Sequence, residues 1–178
     1  PDLDLQLVAT SRVFSLSKRE AELAISLKAP EEGRLLVRKL TDYELRLFAS
    51  PHYLKRFGPI DTREDLSKHR FTGYIEELLY TPELDYLSLV CDKHQVCMRS
   101  GNLIAQMQAT VSGIGIAILP CFMAKWRRDL VPVLSKDFAL TRSFWLIMHE
   151  DSKDHPAVRA VSNYLTEIVE ANRELFRA

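Results

Sequence analysis

Three thiols and five imidazoles are the side chains here best suited to covalent or metal chemistry, and their spacing serves neither. Cys91 and Cys97 lie close in sequence and Cys121 stands apart. No turn signal sets Cys91 and Cys97 face to face, and a disulfide needs Cα atoms within about 7 Å. Two separate buried or half-buried thiols are expected, not a redox pair. His52, His69, His94, His149 and His155 are dispersed, and no Cys/His group has the spacing of a structural zinc site. There is no nucleophile elbow and no Walker loop. Without a converging nucleophile, base and orienting group, no catalytic residue, metal ligand or cofactor is expected.

What remains is hydrogen-bonding chemistry toward a small ligand. Thr10 and Ser26 are short hydroxyls at the ends of two apolar runs, and Leu27 follows Ser26. Gly73 and Tyr74 close "FTGY", where tyrosine offers an apolar ring and a polar tip. Asn102 opens a helix whose first N–H groups lack internal partners and attract anions or carbonyl oxygens. A plain structural reading stands beside each. Thr10 and Ser26 can satisfy turns, and Asn102 is first of all a good N-cap. Gly113 and Gly115 in "VSGIGIAILP" read as structural, and Phe144 and Trp145 as core.

The elements that must position these residues follow from periodicity. "LDLQLVAT" alternates apolar and polar residues, which predicts a strand ending near Thr10. Ser17 with Glu20 predicts a capping box and a short helix leading to a strand over 23–27. "LLVRKL" and "ELRLFAS" read as extended segments. "SPHYLKRFG" places serine and proline at a helix start and glycine at its end. A short helix capped by Asp61 or Thr62, a short strand at "FTGY", an N-cap at Thr81 and a strand at "QVCMRS" follow. Leu103, Ile104, Met107 and Val111 keep helical spacing, Gly113 terminates that helix, and "IGIAIL" reads as a buried parallel strand. "CFMAKWRR" makes a turn or two of helix and "SFWLIMH" a strand. The tail from Pro156 to Phe176 predicts one long amphipathic helix. Strand and helix alternate, so parallel sheets flanked by helices are expected.

Bulk properties narrow the class. The chain has 178 residues, 47% hydrophobic and 27% charged, enough for one substantial core or two small ones. Its 24 basic and 24 acidic residues balance, which argues against an electrostatic nucleic-acid footprint on this chain. No apolar run approaches the roughly 20 residues that span a bilayer.

The order of motifs resembles the effector-binding domain of LysR-type transcriptional regulators. "REAELAISL", "FASPHYL", "DLSKHRFTGY", "QATVSGIGIAILP", "LVPVLS" and "FWLIMHEDSKDHPAVRAVSNYL" occur in the family's order and with similar spacing over nearly the whole chain. The resemblance implies an α/β fold like the type II periplasmic binding proteins, with two Rossmann-like subdomains around a ligand cleft. Subdomain I would hold residues 1–42 and 141–178 and subdomain II residues 43–140, with crossings near Asp42 and Thr141. It implies a ligand-sensing regulatory domain, not an enzyme, that binds a small-molecule effector; strand-end and helix-start positions make Thr10, Ser26, Leu27, Gly73, Tyr74 and Asn102 the expected contacts. It further implies a cytoplasmic protein, self-association as a homodimer or tetramer, and no membrane partner. DNA contact would come only through a winged helix-turn-helix upstream, and the domain's own first strand and helix would also precede residue 1. Many family members carry arginine where Ser26 stands, so a carboxylate anchored at that position is not implied here. The alternatives are a solute-binding protein or a redox-sensing domain on the same bilobal fold.

Overall fold

The computed structural model describes residues 3–9 and 21–177. They fall into two compact units. Unit 1 comprises Pro1–Asp42 with Ser143–Arg173, and unit 2 comprises Tyr43–Arg142 with Glu174–Ala178. The chain passes from one to the other at Asp42/Tyr43 and returns at Arg142/Ser143.

In unit 1, β1 (Leu23–Ser26) pairs antiparallel with β7 (Leu140–His149), with Ile25 opposite Leu146 and Ser26 opposite Trp145. β7 lies between β1 and the long strand β2 (Leu35–Ala49). The two extended segments read from the sequence are thus one 15-residue strand that runs through the crossing point. Leu146 and Ile147 are buried, whereas Phe144 and Trp145, expected in the core, are half-buried. Helix α4 (Pro156–Ala171) starts with proline in its first turn and buries Val158 and Ser162. It is shorter than predicted, because the chain breaks at Asn172 into a single 3-10 turn over Arg173–Leu175.

The strand predicted up to Thr10 is not formed over residues 3–9, and the remainder of that segment, Thr10 included, lies outside the described residues. Leu3, Leu5, Leu7 and Val8 are exposed. Alternation alone does not make a strand; the backbone needs a hydrogen-bonding neighbour, and no described strand pairs with this segment.

In unit 2, β2 is flanked by antiparallel neighbours on both edges. β5 (Ala117–Pro120) places Ile118 opposite Leu47, and β6 (Val131–Val133) places Val133 opposite that same Leu47. A parallel pair, β3 (Phe71–Gly73) with β4 (Val96–Arg99), forms a second sheet, and Ile116 bridges to Phe71 in parallel just before β5 begins. "IGIAIL" is therefore a parallel neighbour only at Ile116 and antiparallel beyond it, which corrects the all-parallel expectation. An unbroken apolar run reports that both faces are covered; it carries no information on the direction of the partner. Every residue of β5 is buried, and Phe48, Met107, Ala117, Leu119, Cys121, Ala124 and Leu130 form one apolar cluster with it.

Helix α1 (Pro51–Phe57) has the caps its sequence predicts. Ser50 Oγ accepts from Tyr53 N at 3.3 Å, and Gly58 N donates to Leu54 O at 2.9 Å. The turn over Glu64–Lys68 is 3-10 and is not capped by Asp61 or Thr62. Asp65 reaches back instead, its Oδ2 accepting from Asp61 N, Thr62 N and Thr62 Oγ1. Thr81 likewise makes no cap bond to its short 3-10 turn; its hydroxyl turns to Glu83. Helix α2 (Leu103–Val111) ends where predicted, with Gly113 at φ 78°, a conformation that costs glycine nothing. Helix α3 (Cys121–Ala124) is one turn.

Residues 174–178 belong to unit 2, whereas the sequence reading placed them in the first subdomain. Glu44 N donates to Phe176 O at 2.9 Å, and the Phe176 ring packs on Phe122 at 5.4 Å. These contacts hold the tail once α4 has ended.

Candidate functional site

Strands β3 and β4 run parallel, with Gly73 in register with Arg99, so the residues that follow them leave the sheet side by side. In open α/β sheets this carboxyl end is where ligands bind. Gly73 O accepts from Ser100 N at 2.9 Å, which locks the two exits together. A Cβ on Gly73 would lie 1.9 Å from Leu87 Cδ1, so Gly73 is set by packing of the 74–90 segment against the strand.

A buried polar chain holds α2 against these exits. Thr72 Oγ1 meets Thr110 Oγ1 at 3.2 Å, Thr110 Oγ1 bonds to Gln106 O at 3.0 Å, and Gln106 Nε2 donates to Ser100 O at 2.9 Å. Thr72, Thr110 and Gln106 are each almost fully buried. Satisfied polar groups of this kind fix one arrangement, because leaving any of them unpaired is costly. Ser100 Oγ then accepts from Asn102 N at 3.1 Å, which completes the turn into the helix.

Asn102 acts as the N-cap. Its Oδ1 accepts from Ile104 N at 2.8 Å and Ala105 N at 3.2 Å. The oxygen is committed to the helix, and the side-chain NH2, with no acceptor among the described residues, faces solvent as a donor.

Tyr74 is half-buried and meets Tyr86 edge-on, with ring centroids 6.1 Å apart. Burial raises the pKa of both phenols. The two phenols are also hydrogen-bonded to each other. Tyr43 and Arg142, the unit's two boundary residues, lie close enough to Tyr86 to influence it. Arg142 Nε also donates to Glu83 O at 3.3 Å, so the 74–86 segment is tied to the strand that leaves the unit.

The structure thus brings Gly73, Tyr74 and Asn102 together at one sheet end. Ser26 and Leu27 belong to unit 1, at the end of β1; both are half-buried, and Ser26 Oγ accepts from Lys28 N at 3.2 Å. Sequence reasoning missed Ser100, Gln106 and Tyr86. Gln106 carried a readable signal, being an amide on the apolar side of α2 between Leu103 and Thr110.

Two cavities lie elsewhere in unit 2, and neither is lined by an expected site residue. An open groove of about 420 Å³ is bordered by Leu79, Tyr80, Thr81, Pro82 and Asp85. A smaller pit is bordered by Arg63, Leu66, Leu89, Val90, Leu134 and Phe138. Among the described residues no cluster of His, Cys, Asp and Glu is placed to hold a metal.

Two of the three thiols, Cys91 and Cys121, are not activated. Burial pushes Cys91 and Cys121 up to about 11, so neither is a thiolate at neutral pH. All three cysteines are free.

Residues 1–169 match the profile described as the LysR substrate binding domain. The chain belongs to this family. The LysR domain is 26% identical over 175 residues to the HTH-type transcriptional regulator CrgA of Neisseria meningitidis serogroup C; the match covers 94% of the chain and 58% of that relative. The chain therefore spans a little over half the length of the regulator it matches. Among solved structures, full-length AphB, a Vibrio cholerae virulence activator of the LTTR family, superposes with a TM-score of 0.75 at 20% identity, over 94% of this chain and 59% of that one. The regulatory domain of CcmR from Synechocystis PCC6803, in complex with 2-PG, superposes at 0.67 and 19% identity, over 92% and 78%. The fold of the LysR domain is that of these regulatory domains, the type II periplasmic-binding-protein-like fold. Among the described residues no helix is long and apolar enough to cross a membrane.

Proposed function

We propose that this LysR domain is the ligand-sensing part of a transcriptional regulator and that its effector is a small, acceptor-bearing molecule held at the exits of β3 and β4. The observation that carries the reading is the Asn102 amide at that sheet end, whose oxygen is committed to the helix and whose NH2 is not. Asn102's oxygen is spent on its cap, so its side-chain NH2 is the donor it presents there, beside the Tyr74 hydroxyl. A carbonyl, carboxylate or phosphate oxygen complements that donor. The CcmR regulatory domain, which shares the fold, is solved in complex with 2-PG, and that supports a small-molecule effector. Ser26 and Leu27, and Thr10 outside the described residues, are assigned to the effector from their place at strand ends in the sequence.

The remaining roles follow from family membership: DNA is contacted by a helix-turn-helix elsewhere in the full regulator, the protein works in the cytoplasm as a homodimer or tetramer, and it has no catalytic activity of its own. A redox-sensing role finds no support at Cys91 and Cys121, whose acidity burial has suppressed.

The test is a reporter assay with the intact regulator carrying Tyr74→Phe. Effector-dependent transcription should be lost, while DNA occupancy without effector stays at the wild-type level. A normal effector response from that variant would remove Tyr74 from the site.

A further inference from the structure

The small pit in unit 2 lies among three turns, with a volume of about 80 Å³. Leu66, Leu134 and Phe138 are buried in its walls, and Val90 is half-buried. Leu89 stands beside them 55% exposed, an apolar side chain left at the mouth. Arg63 is the one charged residue of the lining. Its Nη2 donates to Asp137 O at 2.6 Å, which holds the guanidinium in place and leaves its other N–H groups available. Among the described residues no carboxylate is ion-paired with Arg63.

A second, independent observation points to the same place. Leu134 is the one non-glycine described at positive φ, 50°. Its carbonyl accepts from both Asp137 N and Phe138 N, which is what a turn of this shape requires. Glycine or asparagine would take that backbone with less strain. Leucine stands there with its side chain forming part of the pit wall, so the apolar wall is kept at a conformational cost. Such outliers gather at ligand clamps.

We propose that this pit is a second small-molecule site of the domain, separate from the β3/β4 sheet end, and that it takes a short-chain monocarboxylate. The alkyl tail fills the space between Leu66, Leu134 and Phe138, and the carboxylate meets the free edge of the Arg63 guanidinium. Arginine's planar fork suits a carboxylate. The volume is about half that of an engineered apolar cavity that admits benzene, which limits the tail to a few carbons.

Butyrate is the probe. Titrated into the protein and followed by methyl NMR, it should give saturable shifts at Leu66, Leu89, Val90 and Leu134, with half-saturation in the millimolar range expected of so small a ligand. Butanol, which has the same chain length and no charge, should bind at least about tenfold more weakly, as should the Arg63→Gln variant. Both Arg63 and Leu89 sit at the surface, so Arg63→Gln and Leu89→Glu leave the core intact. Leu89→Glu sets a like charge at the mouth and should abolish the shifts. Shifts that grow linearly without saturation, or unchanged butyrate affinity in either variant, overturn the proposal.

Discussion

Ser143 Oγ donates to Asp42 Oδ1 at 2.5 Å, joining residues 101 positions apart in sequence at the two places where the chain passes between its units. Lys39 Nζ also binds Asp42, 2.7 Å from Oδ1. The carboxylate thus gathers both crossing strands beside the boundary. A half-exposed, charge-assisted bond of this kind contributes about 1 kcal/mol. Ser143→Ala should lower the unfolding free energy by about that amount in urea without changing the m-value. A loss several times larger would mean that the bond organises more than its own two strands.

Gly115 should tolerate a methyl group least among the buried positions of its segment. A Cβ there would sit 2.7 Å from Arg70 O, a backbone atom in the strand connection that feeds β3. At Gly73 the obstacle is the tip of Leu87, a half-buried side chain that can swing aside. Gly115→Ala is expected to cost about 3 kcal/mol and Gly73→Ala about 1 kcal/mol. Denaturation curves of the two variants give the comparison, and a Gly73→Ala cost equal to or above that of Gly115→Ala would contradict it.

Asn102 combines a cap with a proposed ligand contact, and two substitutions separate them. Asn102→Ala loses both cap bonds and should cost about 1 kcal/mol. Asn102→Asp keeps an acceptor for Ile104 N and Ala105 N and should retain wild-type stability. Aspartate, however, replaces the outward donor with an acceptor, so the same variant should weaken an acceptor-bearing effector. Full effector affinity in Asn102→Asp would limit the residue to capping.

His69 should make stability fall in mild acid. It is 4% exposed, with Nδ1 3.2 Å from the Tyr53 hydroxyl, and burial lowers its pKa below the ordinary 6.5. Below about pH 6.5 the unfolded chain takes up a proton that the folded chain refuses, so stability declines as pH falls and levels off beneath the folded value. His69→Gln should show a shallower loss of stability between pH 7 and pH 5. Parallel profiles for the two proteins would assign the acid sensitivity to other groups.

Local signals were legible in the sequence, and long-range partners were not. Ser50, Pro51 and Gly58 define α1 because capping is settled within a few residues. Asn102 and Gly113 bracket α2 for the same reason. The direction of β5 was hidden because its partner, Leu45–Phe48, is far away in sequence and an apolar run is the same in either direction. Leu3–Ala9 alternates like a strand and finds no described neighbour. At the site, Tyr74 and Asn102 were readable as strand-end and helix-start residues. The way they are held was not, since it depends on Tyr86 returning to Tyr74 and on Gln106 reaching Ser100.

The central claim is that the exits of β3 and β4 hold an acceptor-bearing effector through the Tyr74 hydroxyl. Thermal unfolding of the domain against a panel of small carboxylates, phosphorylated acids and amines tests it directly, since a ligand of the native state raises the midpoint saturably. The account predicts that acids, and not amines, raise the midpoint of the wild-type domain. It also predicts that Tyr74→Phe, measured against its own unliganded midpoint, which loss of the bond to buried Tyr86 lowers, binds those acids at least about tenfold more weakly, the loss expected for one buried hydrogen bond to a charged group. No saturable stabilisation by any acid, or equal affinity in Tyr74→Phe, would contradict it.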